Sequence, residues 1–257
     1  MIDDAARERY QRQLSLDGFG AAAQEKLAEA SVFVAGAGGL GCSAAIYLAA
    51  AGIGRLRVAD HGNVELGNLN RQILYGERDI GGHKVAAMAR RIEELNANVS
   101  VEPLHVTLGD DNLYALAKGS SLLIDALDNL PSRYALNKVA IRLGVPIVHG
   151  AVQGFFGQVM TIVPNVTACL MCLYGGRVSS GAPPVIGVAP GVIGLLQATE
   201  AIKILTGIGR QLRGTLLLFD GLQTRITEVE ISRDPACPHC GRGRGAAPVI
   251  APARRPA

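Results

Sequence analysis

Short apolar runs recur along the first 151 residues and are separated by longer segments of mixed polarity. Strands of a parallel sheet are buried on both faces and therefore appear as nearly continuous apolar runs. Alternating strands and helices favour an α/β fold whose mainly parallel sheet is covered by helices on both faces. The predicted strands cover residues 31–35, 55–59, 99–106, 121–126 and 146–151. The predicted helices cover residues 3–15, 21–30, 42–51, 84–95, 111–118 and 131–143.

The pattern changes after residue 151. Residues 155–164 alternate between apolar and polar side chains, which is typical of an antiparallel strand. A long apolar helix is predicted over residues 191–207, and two closing strands over residues 214–220 and 224–232. The sheet is therefore expected to carry an antiparallel C-terminal extension.

The composition is that of a globular chain, with 49% hydrophobic and 18% charged residues. No uninterrupted apolar run reaches the roughly 18 residues that a membrane span needs, and the charged N-terminal residues do not fit a secretory signal. Residues 242–257 are rich in Gly, Pro, Ala and Arg and are predicted to be disordered. We expect a cytoplasmic protein with one domain over residues 1–241, which begins with a helical arm, residues 1–30.

The formal net charge of +3 originates at the end of the chain. Four Arg residues and no acidic residue follow Gly241, and the rest of the chain has a slight excess of negative charge. Nucleic-acid binding requires clustered Lys and Arg side chains that neutralise phosphates. A nucleic-acid partner is therefore not expected.

A glycine-rich turn joins the first predicted strand to the next helix. Gly36, Gly38 and Gly41 form a G-x-G-x-x-G pattern, and Asp60 ends the second strand about 20 residues later. Glycines let the backbone approach a phosphate, the helix N-terminus favours negative charge, and the acid suits ribose hydroxyls. This context predicts a Rossmann-like nucleotide site. The alternatives are a tight turn without a ligand and a nicotinamide-dependent oxidoreductase.

Five cysteines are present, and four of them form two C-x-x-C pairs, Cys169 with Cys172 and Cys237 with Cys240. Four thiolates suit a closed, tetrahedral structural zinc site. The alternatives are a redox dithiol at either pair and an iron–sulfur cluster. His239 lies inside the second pair and is expected to be a bystander, because four cysteines already complete the shell.

Polar residues follow the second strand, where open α/β sheets bind their ligands: Asn68, Asn70, Arg71 and Gln72. Lys84 starts the next helix, where the helix dipole disfavours a positive charge. Lys84 therefore either points into water or has an anionic partner such as phosphate. Arg12 lies on the charged first helix, and the residues alone favour a solvated helix face there.

Six motifs in order carry a resemblance to a known family. They are R-Y-x-R-Q at residues 9–13, GAGGLG at residues 36–41, Asp60, N-L-x-R-Q at residues 68–72 with the helix-start Lys84, Asp128–Asn129, and the two C-x-x-C pairs. Over about residues 8–241 the chain resembles the ThiF/MoeB/HesA family of adenylyltransferases, which are relatives of ubiquitin-activating enzymes.

The resemblance implies an activity and partners. Members use ATP and magnesium to adenylate the C-terminal Gly-Gly carboxylate of a ubiquitin-like sulfur-carrier protein, releasing pyrophosphate before a thiocarboxylate is made. They act as homodimers. Molybdopterin, thiamine, cysteine and secondary-metabolite routes share the catalytic parts, so no particular carrier is implied.

The resemblance also implies residue roles. Gly39 and the neighbouring glycines lie under the nucleotide, and Asp60 holds the ribose. Asp128, with Asn129 beside it, binds magnesium, and the two cysteine pairs bind zinc. Arg12 reaches into the active site of the other subunit. The phosphates are held by Asn68, Arg71 and Lys84, within a site that also includes Asn70 and Gln72.

One departure from the family concerns the loop after Cys172. Many relatives have a cysteine there, whereas residues 174–190 contain none. We therefore expect the chain to stop at the acyl-adenylate and leave sulfur delivery to a separate donor. The alternatives are activation of a small-molecule or tRNA-bound carboxylate, and a non-catalytic binding module, which the intact Arg71, Lys84 and Asp128 disfavour.

Overall fold

An eight-stranded sheet organises the computed structural model, which describes residues 3–178 and 183–241. Along the chain, the strands are β1 (Ser31–Ala35), β2 (Arg55–Asp60), β3 (Ser100–His105), β4 (Leu122–Asp125), β5 (Ile147–Gln153), β6 (Phe156–Ile162), β7 (Thr215–Asp220) and β8 (Arg225–Glu230). Their order across the sheet is β3-β2-β1-β4-β5-β6-β7-β8. The first five strands pair in parallel, and β5 to β8 pair antiparallel.

Helices lie on both faces of the sheet and enclose two apolar clusters. They are α1 (Asp4–Leu14), α2 (Gly20–Glu29), α3 (Gly39–Ala50), α4 (Lys84–Leu95), α5 (Leu113–Ala117), α6 (Leu130–Leu143), α7 (Leu170–Tyr174) and α8 (Val188–Thr206). The predicted α/β fold, with its mainly parallel sheet and antiparallel C-terminal extension, is confirmed.

Helix α3 begins three residues earlier than the sequence pattern predicts. Its first turn contains Gly39 and Gly41, which have low helix propensity and were therefore assigned to the turn. A Cβ atom on Gly39 would lie 3.0 Å from Pro190. Close packing of this first turn therefore outweighs the weak intrinsic preference of glycine.

The long helix α8 begins at Val188 and carries Pro190 in its first turn, where a missing N–H group has no cost. By length and composition alone, α8 could cross a membrane. Its side chains at Ile193, Ala198 and Ala201 are buried within the apolar cluster between α3 and the sheet. The apolar character of α8 is therefore explained by its place in the core.

The N-terminal arm packs on the body of the protein through one side of α1. Tyr10 is buried, its hydroxyl oxygen accepts a hydrogen bond of 2.8 Å from Asn96 Nδ2, and Gln13 Nε2 donates to the carbonyl of Ala51 at 2.9 Å. Arg12 lies between these anchors in sequence and is exposed. The predicted disordered segment, residues 242–257, lies outside the described residues.

Candidate active site

One cavity of about 1160 Å³ opens at the carboxyl ends of the parallel strands. Such a position is where open α/β sheets bind ligands. The cavity brings together most of the residues expected to form the site: Gly36, Gly38, Gly39, Asp60, Asn68, Arg71, Gln72, Lys84, Asp128 and Asn129. Arg12, Gly41 and Asn70 do not line it.

The glycine turn forms the floor of the cavity. Gly36 has a φ of +102°, which glycine adopts readily, and its N–H donates to the Ala59 carbonyl at 2.9 Å. A Cβ atom on Gly38 would meet nothing within 4 Å, so this position opens toward the cavity. The backbone is therefore bare where helix α3 begins, as a phosphate site at a helix N-terminus requires.

Asp60 is held in place by backbone donors at the end of β2. Its Oδ2 accepts from the Ala37 N–H at 2.8 Å, and its Oδ1 accepts from the Gly62 N–H at 2.7 Å. Each carboxylate oxygen has a second lone pair that these bonds leave available. The carboxylate is therefore oriented and can still accept from a ligand hydroxyl.

A segment of turns and 3₁₀ helices after β2 carries the polar cluster. Asn68 Oδ1 accepts from the Glu65 N–H at 3.1 Å. Arg71 Nη1 donates to the Gly67 carbonyl and to Asn70 Oδ1, both at 2.9 Å. Asn70 therefore orients Arg71 from outside the cavity. Gln72 is buried, and its Oε1 has no partner among the described residues.

Lys84 starts helix α4 beside this cluster and lines the cavity. A Cβ atom on Gly62 would lie 3.2 Å from Lys84 Nζ and 3.0 Å from Asp60 Oδ1, so the two side chains converge on this glycine. Lys84 therefore faces the cavity instead of bulk water, which favours the anionic-partner alternative.

Asp128 and Asn129 occupy the loop between β4 and α6. Asn129 caps α6, because its Oδ1 accepts from the Ser132 N–H at 2.9 Å, and its Nδ2 donates to Asp128 Oδ1 at 3.2 Å. The Asp128 carboxylate is exposed in the cavity. Carboxylate oxygens are ligands that Mg²⁺ prefers, so Asp128 suits a magnesium ion here.

The cavity extends away from the glycine turn across the antiparallel strands. Strand register places side chains in rows on one face of the sheet, and two such rows line the cavity. One row is Ala151, Gln158, Leu218 and Thr227, and the other is Gln153, Phe156, Asp220 and Arg225. Both rows end at the edge strand β8. The site therefore has a polar end at the parallel strands and a long arm that reaches the edge of the sheet.

A buried polar network that the sequence analysis missed lies under the cavity. Asp125 ends β4, fully buried, and its Oδ2 lies 3.1 Å from Arg133 Nη1 and 2.7 Å from His149 Nδ1. Arg133 also donates to the Gly150 carbonyl at 2.7 Å and to that of Leu127. A buried aspartate must be paired, and this was the one signal in the sequence. The partners lie 8 and 24 residues away, so only the fold identifies them.

Burial and pairing fix the charges of this network. Burial alone would raise the pKa of Asp125, but the Arg133 charge and the His149 hydrogen bond outweigh it and hold that pKa below its usual range. Burial lowers the pKa of His149, and the hydrogen bond to Asp125 offsets this only in part. Asp125 is therefore ionised and His149 neutral near pH 7.

Four cysteine sulfurs meet in one cluster, contributed by the start of α7 and the end of the described chain. The Sγ atoms of Cys169, Cys172, Cys237 and Cys240 all lie within 4.8 Å of one another. The Cys169–Cys237 separation is 3.7 Å and the Cys172–Cys240 separation is 3.5 Å. Tetrahedral zinc with Zn–S bonds of about 2.3 Å needs sulfurs about 3.8 Å apart. The cluster fits a structural zinc ion.

His239 lies beside this cluster and outside its ligand set. Its Nδ1 is 3.0 Å from Asn137 Nδ2, and its ring meets Tyr134 edge-on. Asn137 Oδ1 accepts from the Leu170 N–H at 3.1 Å, so the same side chain fixes the start of α7. The expectation that His239 is a bystander is consistent with these contacts.

Cys42, the remaining cysteine, is fully buried in α3. Burial raises the pKa of its thiol to about 12. Thiolates, not thiols, are the nucleophiles in sulfur chemistry. Cys42 is therefore a packing residue.

Comparisons with known proteins place this chain in a family. Residues 10–239 match the model of the ThiF family. The chain belongs to the ThiF family. Among curated ThiF-type relatives, it is 42% identical to the sulfur carrier protein adenylyltransferase of Thermus thermophilus over 91% of this chain and 90% of that protein. It is 40% identical to the SAMP-activating enzyme E1 of Haloferax volcanii, over 94% and 92%.

This ThiF-family chain is also similar to a longer relative and to a solved structure. The chain is 43% identical to the maize adenylyltransferase and sulfurtransferase MOCS3-1 over 91% of this chain, but this chain spans only 51% of that relative. The structure of E. coli MccB with ATP superposes with a TM-score of 0.80, at 24% identity, over 93% of this chain and 75% of that one. This likeness supports the fold.

Proposed function

We propose that this chain adenylates the C-terminal Gly-Gly carboxylate of a ubiquitin-like sulfur-carrier protein with ATP, releasing pyrophosphate. One observation carries the proposal. A single cavity joins a polar end, lined by Gly38, Arg71 and Lys84, to an arm that crosses the antiparallel strands. The polar end suits a nucleoside triphosphate, and the arm suits an extended peptide tail. The relative from Thermus is named as an adenylyltransferase of a sulfur carrier protein, and the relative from Haloferax as a SAMP-activating enzyme.

ATP occupies the polar end in this proposal. The oriented Asp60 carboxylate accepts hydrogen bonds from the ribose hydroxyls. The triphosphate lies over the glycine turn at the N-terminus of α3, where free N–H groups favour anions. Arg71 and Lys84, with Asn68, neutralise the negative charge that grows on the phosphates as the carboxylate attacks. No covalent enzyme group is needed, because positioning and charge neutralisation suffice.

A magnesium ion would be held by Asp128. The carboxylate is exposed in the cavity, and among the described residues it is hydrogen-bonded through Oδ1 alone, to Asn129, so Oδ2 remains for a metal. Magnesium supplies charge neutralisation at the phosphates. Asn129, which caps α6, restrains the Asp128 carboxylate through its hydrogen bond to Oδ1.

The zinc ion and the second subunit complete the proposal. A closed shell of four thiolates leaves no open position, so zinc would join α7 to the end of the chain without acting on substrate. As the family resemblance implies, Arg12 would enter the cavity of the partner subunit of a homodimer; it is exposed on α1 and does not line the cavity of its own chain, which leaves it available for this role. Sulfur would come from a separate donor, since Cys42 is buried and protonated.

Exchange of labelled pyrophosphate into ATP tests this function. The assay takes the full chain with each ubiquitin-like protein of the same genome that ends in Gly-Gly, and with that protein lacking its last glycine. We expect exchange that one carrier triggers and that disappears with its terminal glycine. Exchange triggered by a small carboxylic acid or a tRNA instead would replace the carrier in the proposal.

A matched pair of variants assigns the chemistry to the cavity. Asp128→Ala should abolish exchange without changing the fold. Asp110→Ala removes an exposed carboxylate that does not line the cavity, and it should leave exchange intact. Unchanged exchange in Asp128→Ala would remove Asp128 from the mechanism.

A further inference from the structure

The buried network under the cavity ends in two polar side chains on its wall, Tyr174 and Gln158. His149 Nε2 lies 2.9 Å from the Tyr174 hydroxyl, and Gln158 Nε2 donates to the same hydroxyl. These contacts connect the wall to Asp125 and so to the loop that carries Asp128. The proposed mechanism uses none of these four side chains.

The contacts of His149, together with the charge of Asp125, indicate where each proton lies. The 2.7 Å contact between Asp125 Oδ2 and His149 Nδ1 needs one hydrogen, and His149 Nδ1 supplies it because the carboxylate is ionised. Arg133 Nη1 lies 2.9 Å from the same nitrogen, but its two hydrogens have acceptors in Asp125 Oδ2 and the Gly150 carbonyl, so Nδ1 keeps its own hydrogen. His149 is neutral, so its Nε2 is an acceptor. The only proton of the Tyr174 hydroxyl is therefore donated to His149. Gln158 Nε2, at 3.2 Å from the same nitrogen, makes the longer contact.

The wall therefore offers mainly acceptors to a ligand: it has no free hydroxyl donor, and the second N–H of Gln158 Nε2 is its remaining donor. The Tyr174 oxygen has a lone pair left for the cavity, and Gln158 Oε1 has no partner among the described residues. A phosphate or a carboxylate presents only acceptors, so it would leave the Tyr174 oxygen and Gln158 Oε1 without a donor. A peptide backbone presents an N–H group every residue, about 3.3–3.6 Å along an extended chain.

We propose that Tyr174 and Gln158 form the subsite that accepts hydrogen bonds from the last amide N–H groups of the Gly-Gly tail. His149 and Asp125 are positioning residues, because they hold the Tyr174 oxygen in its acceptor orientation. The inference rests on the proposed adenylation of such a tail.

The same network connects this subsite to the site of the reaction. Arg133 bonds Asp125 and the carbonyl of Leu127, the residue before Asp128. The Leu127 N–H in turn donates to Asp125 Oδ1 at 3.2 Å. The subsite and the Asp128 loop are thus fixed to one buried carboxylate, which aligns the tail with the phosphates.

A chemical change in the tail tests the subsite. The carrier is made by semisynthesis with its last peptide bond, or the one before it, replaced by an ester, which removes one N–H donor and weakens the neighbouring carbonyl as an acceptor. With the wild-type enzyme, at least one ester should raise the KM for carrier about 10-fold, as expected for one lost hydrogen bond. Tyr174→Phe or Gln158→Met should raise the KM for the amide carrier similarly, and the matching ester should then add nothing further.

Controls separate this role from a structural one. Tyr134→Phe removes another hydroxyl, which donates to the Arg177 carbonyl away from the cavity, and it should leave the KM for carrier unchanged. The Kd for ATP should be unchanged in Tyr174→Phe. His149→Gln should raise the KM for the amide carrier but not for the ester carrier, because His149 acts through Tyr174.

Two outcomes would overturn the inference while the proposed function stands. Wild-type enzyme that uses the amide carrier and both ester carriers equally well would show that no tail N–H donates a hydrogen bond to the enzyme. If the ester and Tyr174→Phe each raised the KM for carrier by a factor independent of the other, and Gln158→Met gave the same result, neither side chain would accept the hydrogen bond of the tail N–H. Absence of exchange with every carrier would instead remove the proposed function itself.

Discussion

A Cβ atom on Gly41 would lie only 2.0 Å from the carbonyl oxygen of Gly36. The third glycine of the turn therefore serves packing of α3 on β1, and it does not line the cavity. Gly38 differs from it, because a Cβ atom there would meet nothing within 4 Å. The glycines of one motif thus have separate tasks.

Gly41→Ala is expected to destabilise the protein by at least about 2 kcal/mol, because backbone must move to accept the methyl group. Gly38→Ala should leave the melting temperature nearly unchanged, since its φ of −81° suits alanine. Thermal unfolding of both variants checks this. Equal melting temperatures in the two variants would contradict the packing role of Gly41.

Arg12→Ala is expected to abolish carrier-dependent exchange, while Arg7→Ala, an exposed arginine on the same helix, should have no effect. Arg12→Ala and Asp128→Ala chains, mixed at equal amounts after dissociation, should recover about a quarter of wild-type activity. Random pairing makes about half of the dimers mixed, and each mixed dimer holds one intact site out of two. Confirmed mixed dimers without activity would argue against a cross-subunit role.

Cys237→Ser is expected to lose bound zinc and to lower the melting temperature by about 10 °C, since a ligand at 1,000 times its Kd stabilises the folded state by about 4 kcal/mol. Metal content and thermal unfolding are measured together. Cys42→Ala, which removes the cysteine outside the cluster, should keep one zinc per chain. Full zinc content in Cys237→Ser would contradict the four-thiolate site.

Acidification below about pH 6.5, the usual pKa of histidine, is expected to destabilise the protein through His149. Its pKa is lowered in the folded state, so the unfolded chain binds more protons at this residue, and the stability of the protein decreases as the pH is lowered. The loss reaches up to about 1.4 kcal/mol at pH 5.5. The Asp125 carboxylate, whose pKa is also lowered, adds a loss only at more acidic pH.

His149→Gln provides the comparison, because it keeps the cysteines and Arg133 unchanged. Its melting temperature should fall less than that of the wild type between pH 7.5 and pH 5.5. An identical fall in both proteins would assign the pH dependence to other groups.

The strands and the larger helices could be predicted from the sequence because each follows a local pattern. The run SVFVA and the pattern from Lys84 to Leu95 are found at the predicted positions. Helix α7 cannot be predicted from a local pattern, because it is only five residues long and depends on the cysteine cluster and on Asn137 for its position.

Some residues of the candidate site could likewise be predicted from the sequence, and others could not. Asp60, Lys84 and Asp128 stand at strand ends or helix starts, so their convergence on one edge of the sheet follows from topology. The network of Asp125 with His149 could not be foreseen, because strand pairing and burial bring together residues 24 positions apart. Asn70 was expected in the site, and the structure places it behind Arg71 instead.

The central claim is that the carboxylate of a carrier tail becomes joined to AMP in this cavity. Intact-mass measurement of the carrier, after incubation with enzyme, ATP and magnesium and rapid acid quenching, tests it most directly. We predict a carrier heavier by one adenylate, absent with Asp128→Ala and absent when the terminal glycine is removed. A carrier of unchanged mass, under conditions where the enzyme binds both ATP and carrier, would contradict the account.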